Sequence, residues 1–247
     1  MPQPATPAYG YADIAKMIDH ALLAPTLTAA DLEVGCGLAR SYDVASVCIM
    51  PFALRRCAEL LAGSTVKPST TIGFPHGGNA TSTKVAEAIQ AVADGGVELD
   101  MVVNISQVLS GDWDYVRADI RGVTEATHAA GRKIKVIFEN CHLSEAQKIR
   151  LCEICADLGV DWVKTSTGFG SGGATPADVA LMRRHSPPHV QVKAAGGIRD
   201  LDTLLEMRTL GATRCGTSRT QEILDEANRR LGRPPVQSVR AAGAAGY

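Results

Sequence analysis

A single-domain (β/α)8 barrel, the TIM-barrel fold, is what this sequence predicts, and three observations predict it. Eight short runs rich in β-branched residues are spread from end to end. Helix-like stretches separate them. No Pro/Gly/Ser-rich linker divides the 247 residues. Strand followed by helix, repeated, implies a parallel sheet covered by helices, and eight such units in about 250 residues fit a closed barrel. A doubly wound open sheet is the competing architecture. It usually carries a GxGxxG turn after its first strand, and none is present.

Taken in order, the strand candidates are MIDHALL, VASVCIM, KPSTTIGF, GVELDMVV, KIKVIFE, GVDWVKTS, VQVKAAG and ATRCGTS. The helix candidates between them are AADLEVGCGLARSY, FALRRCAELLAG, STKVAEAIQAVADGG, WDYVRADIRGVTEATHAAG, LSEAQKIRLCEICADLG, PADVALMRRH and DLDTLLEMRTLG. Gly131, Gly159 and Gly211 stand where helices end and strands begin, as C-terminal caps do. Residues 1–10 read as a flexible lead-in, 11–238 as the barrel, and 239–247 (ending AAGAAGY) as a flexible tail.

Composition narrows the function classes. A chain that is 45% hydrophobic and 21% charged has ordinary material for a core. A net charge of −1 leaves no basic footprint for nucleic acid and no polybasic patch for a membrane. No apolar run reaches the roughly 18 residues that span a bilayer, and the N-terminus does not read as a signal peptide. Seven scattered cysteines imply reduced thiols and a cytoplasmic protein. Cys152 and Cys155 form a CxxC within a helix-like stretch, where helix packing is the expected role.

The chemistry is written in the strands. Asp100 lies between Leu99 and Met101, Lys135 between Ile134 and Val136, Lys164 between Val163 and Thr165, and Lys193 between Val192 and Ala194. Alternation along a barrel strand sends the apolar neighbours to the helices and the charges into the lumen. Asp19 and Cys48 belong to the same set on the first two strands. One such lysine would be a strand-end charge in an ion pair. Several ammonium groups in one lumen are costly unless their shifted pKa values are used. A desolvated amine beside another cation is partly neutral at pH 7. It can add to a carbonyl and form an iminium, an electron sink for breaking or making the adjacent C–C bond. Lys164 as nucleophile, Lys193 as the second cation and Asp100 as general acid/base satisfy that chemistry.

An anion site is expected at the ends of the last strands. Barrels of this class often hold phosphate on the loops after strands 7 and 8, where backbone N–H groups and a helix N-terminus converge. Gly196, Gly197 and Ser218 stand there, joined by Gly216, and by Thr165, Thr167 and Gly168 around the end of strand 6. Arg219 is either a further anion contact or a solvated helix-end charge. Polarisation of the carbonyl by a metal held on several histidines is one rival reading, but the six histidines show no ligand-like spacing. His20 reads as a packed strand residue.

The segments VKTSTGF, VKAAGGIR, ELDMVVN and RCGTSR, in this order and spacing, resemble the deoxyribose-phosphate aldolase family, class I aldolases of the (β/α)8 fold. The likeness runs from MIDHALLAPTLT to the C-terminal tyrosine. It implies reversible cleavage of 2-deoxy-D-ribose 5-phosphate to D-glyceraldehyde 3-phosphate and acetaldehyde, with no metal or organic cofactor. It further implies that Lys164 forms the Schiff base, that Lys193 perturbs it and relays protons, and that Asp100 acts with Lys193. Tyr247 matches the family's terminal tyrosine, which assists proton transfer at the enamine carbon. Some members carry lysine where this chain has Phe169 and a second serine where it has Arg219. Small sugar phosphates and aldehydes are the expected partners, in a homodimer or homotetramer.

Overall fold

The computed structural model describes residues 9–236. Eight parallel strands pair in chain order, and the eighth pairs with the first to close the barrel. They are β1 (Ile18–Leu22), β2 (Ser46–Ile49), β3 (Lys67–Ile72), β4 (Glu98–Val102), β5 (Lys133–Ile137), β6 (Trp162–Lys164), β7 (Gln191–Ala195) and β8 (Ala212–Thr217). Each falls inside one of the runs expected from the sequence. The covering helices are α2 (Ala29–Ser41), α3 (Leu54–Leu61), α4 (Thr81–Ala93), α6 (Trp113–Ala129), α7 (Glu145–Asp157), α8 (Pro176–Arg184), α9 (Leu201–Thr209) and α10 (Thr220–Arg230). Two short helices, α1 (Tyr11–Ala15) and α5 (Ile105–Ser110), were not expected, and α10 supplies the eighth unit's helix.

Local chemistry sets the helix boundaries. Thr28 and Ser144 begin α2 and α7 with reciprocal capping boxes to Asp31 and Gln147. Asp200 begins α9 by accepting the Thr203 N–H at 2.8 Å. Gly131, Gly159 and Gly211 have φ of +66°, +68° and +100°, the left-handed region a helix exit uses. Cys152 and Cys155 are buried within α7, and all seven cysteines are free.

The strands alternate as a barrel requires. Ile18, Val47, Leu99, Met101, Ile134, Val136, Val163 and Val192 belong to the continuous buried apolar cluster. The residues between them face the lumen. Loops at the C-terminal ends of the strands therefore surround a polar shaft, and this end holds the site.

Candidate active site

The cross-strand register brings the lumen charges together. Asp100 pairs with Lys135 across β4 and β5, and Lys164 pairs with Lys193 across β6 and β7. Asp100 Oδ2 accepts from Lys164 Nζ at 2.7 Å and from Lys193 Nζ at 2.8 Å, while its Oδ1 accepts from Lys135 Nζ at 2.9 Å. Asp19 Oδ2 sits 2.5 Å from Lys193 Nζ and 3.4 Å from Lys135 Nζ. Lys164 is only 3% exposed and Asp100 not at all. Charges this dry persist only when paired, which the shared carboxylate accomplishes.

These contacts divide the lysines. Burial disfavours an ammonium at every position. At Lys193 the carboxylates of Asp100 and Asp19 outweigh burial and hold the amine above the ordinary lysine value. At Lys135, Asp100, Asp19 and Glu98 do the same. At Lys164 burial is opposed by Asp100 but reinforced by the Lys193 charge, and the amine falls below the ordinary value. Asp100 would be raised by burial, yet Lys135, Lys164 and Lys193 together keep its carboxyl far below the usual range. Asp19 is likewise held down against burial, chiefly by Arg214, Lys135 and Lys193.

A cavity of about 130 Å³ opens above this cluster. Asp19, Cys48, Lys164 and Lys193 line its floor, and Gly168, Gly196, Gly197, Gly216, Ser218 and Thr217 line its wall. Gly196 and Gly197 have φ of +82° and +81°. The loops after β6 and β7 cross backbone on backbone here: Ala174 N–H donates to the carbonyls of Ala195 and Gly196 at 2.9 and 3.0 Å. A Cβ on Gly173 would stand 2.3 Å from the Gly196 carbonyl oxygen. Gly216 makes room for the lysine, since a Cβ there would sit 3.3 Å from Lys193 Cε.

Other expected residues take different places. Thr165 turns toward β7, its hydroxyl donating to the Ala195 carbonyl and accepting the Ala195 N–H, both at 3.1 Å, and it does not line the cavity. Thr167 does line it, but its hydroxyl is bonded to Glu139 and accepts the Phe169 N–H at 3.0 Å. Ser218 precedes α10, whose first residue is Thr220. His20 is buried, with Nδ1 2.8 Å from the Thr220 hydroxyl. Lys135 lies beneath the cavity, not in its lining. Tyr247, the lead-in up to residue 8 and the tail lie outside the described residues.

Four residues escaped the sequence reading. Glu98 and Arg214 are in the lumen two positions before Asp100 and Gly216, so strand alternation alone would have placed them there. Glu139 leaves β5 with φ of +58°, unusual for a non-glycine residue, and its buried carboxylate accepts the Thr167 N–H at 3.2 Å. No local signal marks it. Arg199 joins Arg219 in the cavity lining; Arg219 bonds Glu222 at 2.8 Å, whereas Arg199 has no polar partner among the described residues.

An amine with a depressed pKa, a second lysine kept charged and a carboxylate touching both are the groups that Schiff-base chemistry requires. Comparison with known proteins agrees: residues 14–218 match the family model described as DeoC/LacD family aldolase. The chain belongs to the DeoC/LacD aldolase family. The deoxyribose-phosphate aldolase of Rhodopirellula baltica is 66% identical to this aldolase over 239 residues, 97% of this chain and 99% of that one. That of Thermococcus gammatolerans is 46% identical, covering 87% of this chain and 96% of that one. Among solved structures, the tetrameric deoxyribose phosphate aldolase from Aeropyrum pernix superposes with a TM-score of 0.82 at 28% identity, covering 88% of this aldolase and 92% of that chain. Dihydrodipicolinate synthase from Bacillus clausii, at 15% identity and a TM-score of 0.60 over 90% of this chain and 75% of that one, shares the fold alone.

Proposed function

We propose that the enzyme cleaves 2-deoxy-D-ribose 5-phosphate reversibly to D-glyceraldehyde 3-phosphate and acetaldehyde through an iminium on Lys164. The carrying observation is the single Asp100 oxygen shared by Lys164, whose amine is depressed, and Lys193, whose amine is not. Neutral Lys164 Nζ attacks the aldehyde carbon of the open-chain sugar, giving a carbinolamine. Lys193 gives a proton to its hydroxyl, which leaves as water, and the cationic iminium forms beside the Asp100 carboxylate.

Removal of the proton from the sugar's C3 hydroxyl then turns that oxygen into the aldehyde of glyceraldehyde 3-phosphate. The C2–C3 electron pair flows through C1 to nitrogen and leaves an enamine. Protonation at C2 regenerates an iminium, and water releases acetaldehyde and free Lys164. Asp100 and Lys193 serve these proton transfers, and Tyr247 is proposed for the transfer at C2. The substrate phosphate is placed against the Gly196 and Gly197 N–H groups, Ser218 and the N-terminal end of α10, with Arg199 and Arg219 adding charge. A homo-oligomer in the cytoplasm completes the reading, supported by the tetrameric relative and the free cysteines.

Borohydride reduction in the presence of acetaldehyde tests it. The expected product carries one ethyl group at Lys164 and none in Lys164→Arg. Labelling elsewhere, or equal labelling of the variant, would falsify the assignment.

A further inference from the structure

The lumen holds more charge than the reaction uses. Three carboxylates (Asp19, Glu98, Asp100) face four cations (Lys135, Lys164, Lys193, Arg214), and six of the seven close into a ring. Asp100 contacts Lys193 at 2.8 Å, and Lys193 contacts Asp19 at 2.5 Å. Asp19 meets Arg214, which meets Glu98 at 2.5 Å. Glu98 contacts Lys135 at 2.6 Å, and Lys135 returns to Asp100 at 2.9 Å. Signs alternate around the circuit, so the ring is neutral by itself. Lys164 hangs from Asp100 as the surplus cation.

We infer that Glu98 and Arg214 are positioning residues for the aldol chemistry: by completing the neutral ring they make Lys164 the lumen amine that gives up its proton, and they set the pH at which it does so. Each ring cation bridges two carboxylates, and Lys135 reaches a third. Deprotonating one would strip both carboxylates of a partner. Lys164 touches a single carboxylate, whose oxygens already accept from Lys193 and Lys135. Its proton is therefore the least costly to remove. The directions agree: Lys135, Lys193 and Arg214 are raised while Lys164 alone of the four is lowered.

Every strand's contribution is accounted for. Asp19 faces the cluster from β1, Cys48 from β2, Glu98 and Asp100 from β4, Lys135 from β5, Lys193 from β7 and Arg214 from β8. Lys164 itself comes from β6, and β3 carries no ionisable side chain in the lumen. Burial pushes the Cys48 thiol up, and likewise the Cys215 thiol on β8 near Asp19 and Lys193, so neither adds charge near neutrality. Glu139, beyond β5, is bonded to Thr167. Neither Glu98 nor Arg214 lines the cavity.

This inference rests on Lys164 being the nucleophile, and opposite-sign substitutions separate it from a purely structural role. Glu98→Gln leaves the lumen more positive and moves the rising arm of kcat/KM to lower pH. Arg214→Gln leaves it more negative and moves the arm to higher pH. At two strand spacings, about 10 Å, with an effective dielectric near 20, each shift is about one pH unit. Arg214→Lys and the double variant Glu98→Gln/Arg214→Gln keep the charge count and are expected to keep the wild-type arm.

Arms that stay put, or that move in the same direction in both single variants, overturn the inference. Should a single variant fail to fold by circular dichroism, a displacement above about half a pH unit in the charge-conserving variants overturns it as well. Borohydride trapping of the wild-type enzyme is read alongside. Labelling away from Lys164 sinks the nucleophile assignment, whereas labelling at Lys164 with unmoved arms sinks the ring alone.

Discussion

At Lys164 two opposing influences of similar kind are resolved by a third. Burial favours the neutral amine, and Asp100 at 2.7 Å favours the ammonium. Asp100 remains the main influence against burial, but the Lys193 charge adds to burial, and the two together outweigh it. Lys193→Leu removes that charge and leaves two carboxylates short of a cation, so the Lys164 amine should hold its proton more tightly. The rising arm of kcat/KM should move to higher pH and the rate near pH 7 should fall by about tenfold or more. A pH–rate profile checks this, and an unmoved arm would leave Lys193 a packing residue. Alternation of charge and apolar residue made Asp100, Lys135, Lys164 and Lys193 legible as a set. Glu139 was not legible, because its place depends on an unusual backbone turn and on Thr167, 28 residues away. Thr165 misled for the opposite reason. It sits next to Lys164 in sequence, but neighbours along a strand point to opposite faces.

Helix ends were readable where a glycine takes the left-handed exit, as at Gly131, Gly159 and Gly211. The helices missed are α1 and α5, five and six residues long, too short for an apolar stripe to repeat, and α10, whose charged sequence carries only a narrow buried edge of Ile223, Leu224 and Ala227. Contacts between loops were not readable either, and they suit a test. Gly173→Ala would drive a Cβ into the Gly196 carbonyl and displace the backbone proposed to face the substrate phosphate. At about 1–2 kcal/mol for such overpacking, KM for deoxyribose 5-phosphate should rise ~10-fold, with a smaller change for unphosphorylated deoxyribose. Steady-state kinetics on both sugars would decide, equal changes counting against the phosphate site. A second test lies where β1 meets α10. Burial lowers the His20 imidazole to about 4, with Glu222 opposing only in part. Between that value and the free value near 6.5 the unfolded chain binds the extra proton, so stability should fall as the pH drops through this window, by up to about 3 kcal/mol. In His20→Gln the fall should be visibly smaller when urea midpoints are compared at about pH 7 and about pH 4.5.

For the molecule as a whole, the charged ring does what hydrogen-bonded pairing does at the barrel wall: it ties distant strands to one another. Its members come from β1, β4, β5, β7 and β8, and the apolar cluster surrounds it on the helix side. A buried ring of ions is weak evidence for net stability, because its desolvation cost is comparable to its Coulombic gain. Breaking it is a different matter, since an orphaned buried carboxylate has neither water nor partner. Lys135 contacts Glu98, Asp100 and Asp19 and is fully buried. Lys135→Met keeps much of its volume and removes its charge, so about 3–5 kcal/mol of stability should be lost. In a chain of this size that is a fall in Tm of ~10 °C. Because the ring spans the barrel, the loss should belong to one cooperative unit and not to a single hairpin or loop. Trp162 reports on that directly, its ring lying 5.2 Å from the Arg214 guanidinium and 5.7 Å from Lys135 Nζ. In a Trp113→Phe background, where Trp162 is the remaining tryptophan, thermal unfolding followed by tryptophan fluorescence and by far-ultraviolet dichroism should therefore give one shared midpoint with Lys135 present and one shared, lower midpoint in Lys135→Met. If the fluorescence transition separates from the loss of secondary structure, the ring is a local feature of the lumen and does not hold the barrel together.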